Sequence, residues 1–202
     1  MTQDLTFIHR FLPGTTPAAP LLLLHGTGGN EDDLLPLGKT LAPGRALLSP
    51  RGMVLENGMP RFFRRLAEGV FDEQDVIARA HELADFIVEA RKAYNLAKPI
   101  AVGFSNGANI AAAILLLRSE VLGGAILLRA MVPLTKPPAA DLEQKPVLII
   151  SGASDPIIPA NNAKLLASML AKAKAVVQHE TLPTGHTLTQ NDVTLATNWL
   201  NR

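Results

Sequence analysis

With 202 residues, 48% hydrophobic and 18% charged, the chain is long enough to bury a substantial core and short enough for one domain spanning 1–202. A formal net charge of +1 and an aromatic content of 4% give no basis for binding nucleic acid, and no basic run suggests a membrane surface. The absence of cysteine excludes disulfides, thiolate metal sites and a cysteine nucleophile.

Met1-Thr2-Gln3-Asp4-Leu5-Thr6 has neither the basic stretch nor the apolar core of a secretory leader. The longest apolar run, Ile110 to Leu117, falls far short of the ~20 residues that cross a bilayer, so a cytoplasmic protein is expected. Leu5 to Leu12 alternates loosely and predicts an edge strand, and Pro13 to Pro20 a loop. Leu21-Leu22-Leu23-Leu24-His25 reads as a buried strand stopped by Gly26-Thr27-Gly28-Gly29. Asn30 is placed to cap a helix beginning at Glu31-Asp32-Asp33, whose carboxylates suit its positive end. Ala46 to Ser49 is a third strand, ended by Pro50-Arg51-Gly52, after which an irregular loop is expected as far as Phe71. From Asp72 to Tyr94 apolar residues recur at helical spacing.

Pro99-Ile100-Ala101-Val102 predicts a buried strand and Ala108 to Leu117 a helix, with Gly103-Phe104-Ser105-Asn106-Gly107 between them. Further buried strands are expected at Gly124 to Leu128 and Val147 to Ile150, a helix at Ala160 to Ala173, a last strand at Val176 to Thr181 and a closing helix at Leu188 to Leu200. Strands alternating with helices, nearly all of them apolar on both faces, predict an α/β fold: a mostly parallel central sheet with helices on both sides. No long amphipathic insertion separates the strands, so no large lid domain is expected.

G-x-S-x-G between a strand and a helix is the setting of a nucleophile elbow, in which a sharp turn exposes the Ser105 hydroxyl at the carboxyl end of the strand. A serine needs a base to take its proton, and the base needs an orienting partner. In an open parallel sheet such groups sit on loops past the carboxyl ends of strands. Asp155 and His186 satisfy that condition, and the order serine, aspartate, histidine is the one expected of an elbow-type hydrolase. His9, His81, His179, Asp141 and Asp192 lie within elements or before their strand and fit less well.

Two N–H donors are needed where negative charge develops. The Asn106 N–H supplies one, and Thr27, in the loop after the Leu21–His25 strand, is best placed to supply the second. His25 is read as holding that glycine loop rigid in preference to a catalytic part. In the Gly52–Phe71 stretch, the Phe side chains either wall an acyl or aryl pocket or anchor the loop to the core. Of its arginines Arg64 and Arg65, either one meets an anionic group, Arg64 being the candidate, or both make surface ion pairs, while Phe71 and Met131 are candidates for substrate contact.

The segments His25-Gly26-Thr27-Gly28-Gly29-Asn30-Glu31, Gly103-Phe104-Ser105-Asn106-Gly107, Ser151-Gly152-Ala153-Ser154-Asp155-Pro156-Ile157-Ile158-Pro159 and Gly185-His186 together resemble the phospholipase/carboxylesterase family of small α/β-hydrolases. The resemblance spans nearly the whole chain. It implies ester or thioester hydrolysis without cofactor or metal, by a Ser105–Asp155–His186 triad with Thr27 and Asn106 as backbone oxyanion donors. The family's thioesterases usually carry glutamine after the nucleophile and a Leu-Ser-Gly type turn where this chain has Arg129-Ala130-Met131-Val132-Pro133. With Ser49-Pro50-Arg51-Gly52 and Arg61-Phe62-Phe63-Arg64-Arg65, that departure resembles a bacterial branch of carboxylesterases and hydroquinone-linked hydrolases.

A serine carboxylesterase acting on small soluble esters is therefore expected. An acyl thioesterase or lysophospholipase-type hydrolase is the alternative within the class, and a ligand-binding receptor on the same fold the alternative outside it. A mean hydropathy of +0.19 is compatible with a homodimer.

Overall fold

The computed structural model describes residues 5–202, so Met1 to Asp4, read above for a leader, lie outside the described residues. The first half of the chain forms β1 (His9–Leu12), β2 (Leu21–Leu24), α1 (Leu35–Leu41), β3 (Leu47–Pro50), β4 (Val54–Glu56), β5 (Met59–Arg61), β6 (Arg65–Ala67), β7 (Val70–Phe71) and α2 (Glu73–Ala93). The second half adds β8 (Ile100–Phe104), α3 (Asn106–Leu117), β9 (Gly124–Leu128), β10 (Pro146–Gly152), α4 (Ala160–Lys172), β11 (Val176–Leu182) and α5 (Gln190–Leu200). Seven strands make one sheet in the order β1-β3-β2-β8-β9-β10-β11, parallel throughout except for β1, which runs antiparallel to β3 at one edge.

The central strands are apolar on both faces because helices cover both. Leu22, Leu24, Ala101, Leu127, Val147 and Ile149 pack with α2, α3 and α4. Leu21, Leu23, Val102, Ile126, Leu148 and Ile150 face the other way, onto α1 and α5. Alternation is thus present, with both directions leading into core. The edge strand β11 departs from the expectation: its residues are half-buried or exposed, and His179 on it is held by Ser151 Oγ at 2.8 Å. Among the described residues no large extra domain interrupts this plan, and no helix is long and apolar enough to cross a membrane.

Two local expectations need correction. Asn30 does not cap a helix: its side chain accepts the Asp32 N–H at 2.8 Å in a turn, and α1 begins only at Leu35, with Pro36 inside its first turn. Pro36 has no N–H to give, which makes that position a natural first turn. The stretch from Gly52 to Phe71 is also not irregular. It forms two hairpins, β4–β5 and β6–β7, the first turning at Asn57-Gly58 with φ of +51° and +79°. Asn-Gly is the dipeptide that tolerates two successive positive φ values, so the signal was present in the sequence.

Candidate active site

Ser105 stands where β8 gives way to α3, with a φ of +51°. A residue with a side chain occupies that region only where its surroundings impose it. Here backbone is pressed on backbone: a Cβ on Gly103 would lie 2.5 Å from Gly107 O, and one on Gly107 only 2.0 Å from Leu24 O. The two glycines therefore permit the turn, and Ser105 faces a cleft past the ends of the strands. Its N–H donates to Leu128 O at 2.8 Å, which ties the elbow to β9.

Asp155 and His186 follow the adjacent strands β10 and β11, whose register sets Gly152 beside Leu182. The two loops leave the sheet together, and the fold brings all three side chains into one chain of hydrogen bonds. His186 Nε2 lies 3.0 Å from Ser105 Oγ, and Nδ1 lies 2.8 Å from Asp155 Oδ2. Asp155 Oδ1 accepts the N–H groups of Ile157 and Ile158 at 2.9 and 3.1 Å, and its side chain is 1% exposed. A carboxylate anchored in this way accepts a hydrogen bond from the Nδ1–H of His186, which fixes that tautomer and turns the Nε2 lone pair toward the serine.

Asn106 is the first residue of α3, so its N–H has no partner within the helix and lies at the positive end of the helix dipole. Thr27 reaches the same cleft from the loop after β2. The cleft, roughly 390 Å³, also takes in Phe71 and Met131. Arg64 is absent from it: the side chain is exposed and pairs with Asp72 at 2.6 Å, while its N–H donates to Asp75.

The arginines that do line the cleft are Arg61 and Arg65, of which the sequence offers Arg65 alongside Arg64 and does not single out Arg61. Both donate to Glu56, at 2.8 Å each, and Arg61 Nε donates to Phe63 O at 3.2 Å. The Arg65 guanidinium holds the Glu56 carboxyl below its ordinary range, while burial pulls Arg61 down. Phe62 and Phe63 anchor the segment in the core at 3% and 0% exposure, with Phe71 edge-on to Phe63 at 5.0 Å. Alternation does not separate Arg61 and Arg65 from Arg64, because Arg61, Phe62 and Phe63 are buried in succession at the junction of the two hairpins.

His25 has the structural part expected of it. Its Nδ1–H donates to Gly26 O at 2.7 Å and its Nε2 accepts the Gly52 N–H at 3.0 Å, joining the glycine loop to the start of the hairpin region. It is 2% exposed, and burial pushes its pKa down, in keeping with an Nε2 that accepts a hydrogen bond. Nearby, Arg51 grips Glu31 through two bonds of 2.5 and 2.7 Å, which holds the Glu31 carboxyl low.

A mostly parallel sheet with helices on both faces and a glycine-flanked serine turning into the central helix makes this an α/β-hydrolase fold. The chain belongs to the phospholipase/carboxylesterase family, whose model matches residues 12–202, and is a hydrolase of the esterase kind. It is similar to the hydrolase MhqD of Bacillus subtilis (strain 168), 47% identical over 193 residues that make up 95% of this chain and 96% of that protein. A carboxylesterase of Bacillus cereus superposes with a TM-score of 0.95 at 45% identity, covering 99% of this chain and 96% of the other. The structure of YahD with malic acid superposes at 0.91 with 30% identity, covering 97% and 98%.

Proposed function

We propose that the protein is a single-domain, cytoplasmic serine carboxylesterase that hydrolyses small soluble esters through an acyl-enzyme. The observation that carries this reading is the unbroken relay from Ser105 Oγ to His186 at 3.0 Å and from His186 to Asp155 at 2.8 Å. His186 Nε2 takes the hydroxyl proton as Ser105 attacks the ester carbonyl. The Thr27 and Asn106 N–H groups receive the oxyanion, each such donor contributing about 3–4 kcal/mol. As the intermediate collapses, His186 gives its proton to the departing alcohol. The imidazole then draws a proton from water, which attacks the acyl carbonyl and frees the acid and Ser105.

The size of the cleft favours a small ester. Its two guanidinium groups share one carboxylate, Glu56, and Arg65 is only partly buried, which favours a substrate that carries a carboxylate of its own. YahD, the relative whose structure holds malic acid, is compatible with that choice.

The test is a p-nitrophenyl ester series from acetate to palmitate, run beside Ser105→Ala. Turnover of the short esters, lost in the variant, is the expected result. A preference for long chains would move the reading to the lipid or thioester hydrolases of the class, and activity surviving Ser105→Ala would assign the nucleophile elsewhere. Tight binding without turnover would identify a receptor.

A further inference from the structure

Arg129 is the largest fully buried side chain in the protein among the described residues, at 0% exposure, and a lone buried guanidinium is costly unless every donor is met. All five are. Nε donates to Gly185 O at 3.0 Å, Nη1 to Ile150 O at 3.2 Å and to Asp192 Oδ1 at 2.7 Å, and Nη2 to Thr187 O and to Asp192 Oδ2, both at 3.0 Å. Gly185 and Thr187 are the two neighbours of His186. One planar group therefore holds the backbone immediately before and immediately after the catalytic histidine.

The backbone of the same residue reaches the other two members of the site. Arg129 adopts a φ of +56°, and its N–H donates at 2.9 Å to Ile150 O, on the strand that runs out to Asp155. The preceding carbonyl, Leu128 O, accepts the Ser105 N–H at 2.8 Å. Asp192 is in turn fixed: it is 2% exposed, and its Oδ2 accepts the N–H and hydroxyl of Thr189 at 2.8 Å each, in the capping box that starts α5. The segment from Gly185 to α5 is thus strung between one guanidinium and the helix it leads into.

We propose that Arg129, oriented by Asp192, is the positioning residue of the Ser105–His186–Asp155 relay. The end of β9 acts as a hub from which the elbow, the Asp155 strand and the His186 loop all take their relative placement. This inference rests on the serine esterase reading given above. It assigns Arg129 no contact with substrate; its effect passes through the position of the imidazole.

Arg129→Lys separates geometry from charge. Lysine keeps the positive charge beside Asp192, but its single ammonium lacks the planar fork needed to hold Gly185 O and Thr187 O together. The double variant Arg129→Met, Asp192→Leu removes both charges at once, an exchange that buried pairs generally survive. Each variant is assayed as folded protein on a p-nitrophenyl ester and on the ethyl ester of the same acid. The alkoxide leaving group needs the proton of His186, whereas p-nitrophenolate departs without it.

The expected result for the ethyl ester is a kcat/KM, which reports acylation, lower by up to about a hundredfold, the loss falling on kcat with KM little changed. The p-nitrophenyl ester loses a smaller factor, because its acylation needs His186 only to take the Ser105 proton. The ratio of the two activities is unaffected by the fraction of active protein, so partial misfolding does not imitate the effect. An unchanged ratio in folded variants would overturn the proposal. Failure of both variants to fold would also overturn it, by showing that the pair serves the core as a whole. His186→Ala is run alongside: full activity in that variant would overturn the triad itself, a different failure from an unchanged ratio at Arg129.

Discussion

The side-chain oxygen of Asn106 accepts the Phe62 N–H at 2.7 Å, so the residue proposed as a backbone oxyanion donor also holds the segment between the two hairpins. Asn106 is 2% exposed, and the peptide it anchors lies between Arg61 and Phe63. Its backbone and its side chain thus have separable duties. Asn106→Ala keeps the N–H and removes the anchor. Its expected outcome is a several-fold rise in KM with a smaller fall in kcat, and a stability loss of about 1–3 kcal/mol for the orphaned Phe62 N–H. Steady-state kinetics and urea unfolding measure the two parts.

The elbow makes a sharper prediction. Gly107→Ala would set a Cβ 2.0 Å from Leu24 O, a backbone atom in the middle of the sheet that has no freedom to retreat. A loss above about 4 kcal/mol is expected, enough to unfold a marginally stable domain. Gly58→Ala is the control for space alone, because nothing lies within 4 Å of the Cβ it would add, although its φ of +79° brings some strain. Thermal melts should show Gly58→Ala far milder than Gly107→Ala, and equal effects would refute the packing argument.

Stability should fall with acid for a reason that can be located. Burial lowers the pKa of His25 in the folded protein, whereas the unfolded chain binds its proton near the ordinary value of about 6.5. Below that pH the unfolded state takes up protons that the folded state refuses. The stabilisation is therefore complete above about 6.5 and is lost as pH falls toward the depressed folded value. His179 is lowered in the same direction by burial, so the two contributions add. Urea midpoints between pH 5 and pH 7.5 should show a slope that shrinks in His25→Gln, and an unaltered slope would place the acid sensitivity elsewhere.

Arg65→Met addresses the substrate. Arg65 spends its Nε on Glu56 and stands at the cleft with its side chain 30% exposed. Paired esters differing only in a terminal carboxylate should show the variant losing about tenfold of its preference for the charged member, the worth of one charge-assisted contact in water. An unchanged preference would remove the anionic group from the substrate description.

Much of this was legible before any coordinates. Leu21 to Leu24, Gly124 to Leu128 and Val147 to Ile150 announced buried parallel strands because helices on both faces leave no polar side to encode. Ser105, Asp155 and His186 could be chosen together because each directly follows a strand, and strand ends share one edge of a parallel sheet. Arg129 and Asp192 could not be paired in the same way. They are 63 residues apart, and Asp192 was passed over for lying in a helix, although a helix start is where it meets both Thr189 and Arg129. Arg64 and Arg65 are indistinguishable by composition; only the hairpin pairing, which places one beside Asp72 and the other on Glu56, tells them apart.

The hairpins β4–β5 and β6–β7 stand outside the seven-stranded sheet, and each pairs only with its own partner strand. They nevertheless furnish Arg61, Arg65 and Phe71 to the cleft, while Ser105, Asp155 and His186 stand just past the carboxyl ends of strands of the main sheet. The cleft is thus walled from two sources, the strand ends of the main sheet and the two hairpins. Residues 53–71 are pinned to the core by Phe62 and Phe63, yet Arg65 and the exposed Glu68 line the cleft and can be rewritten without disturbing the main sheet, a route open to both evolution and the engineer.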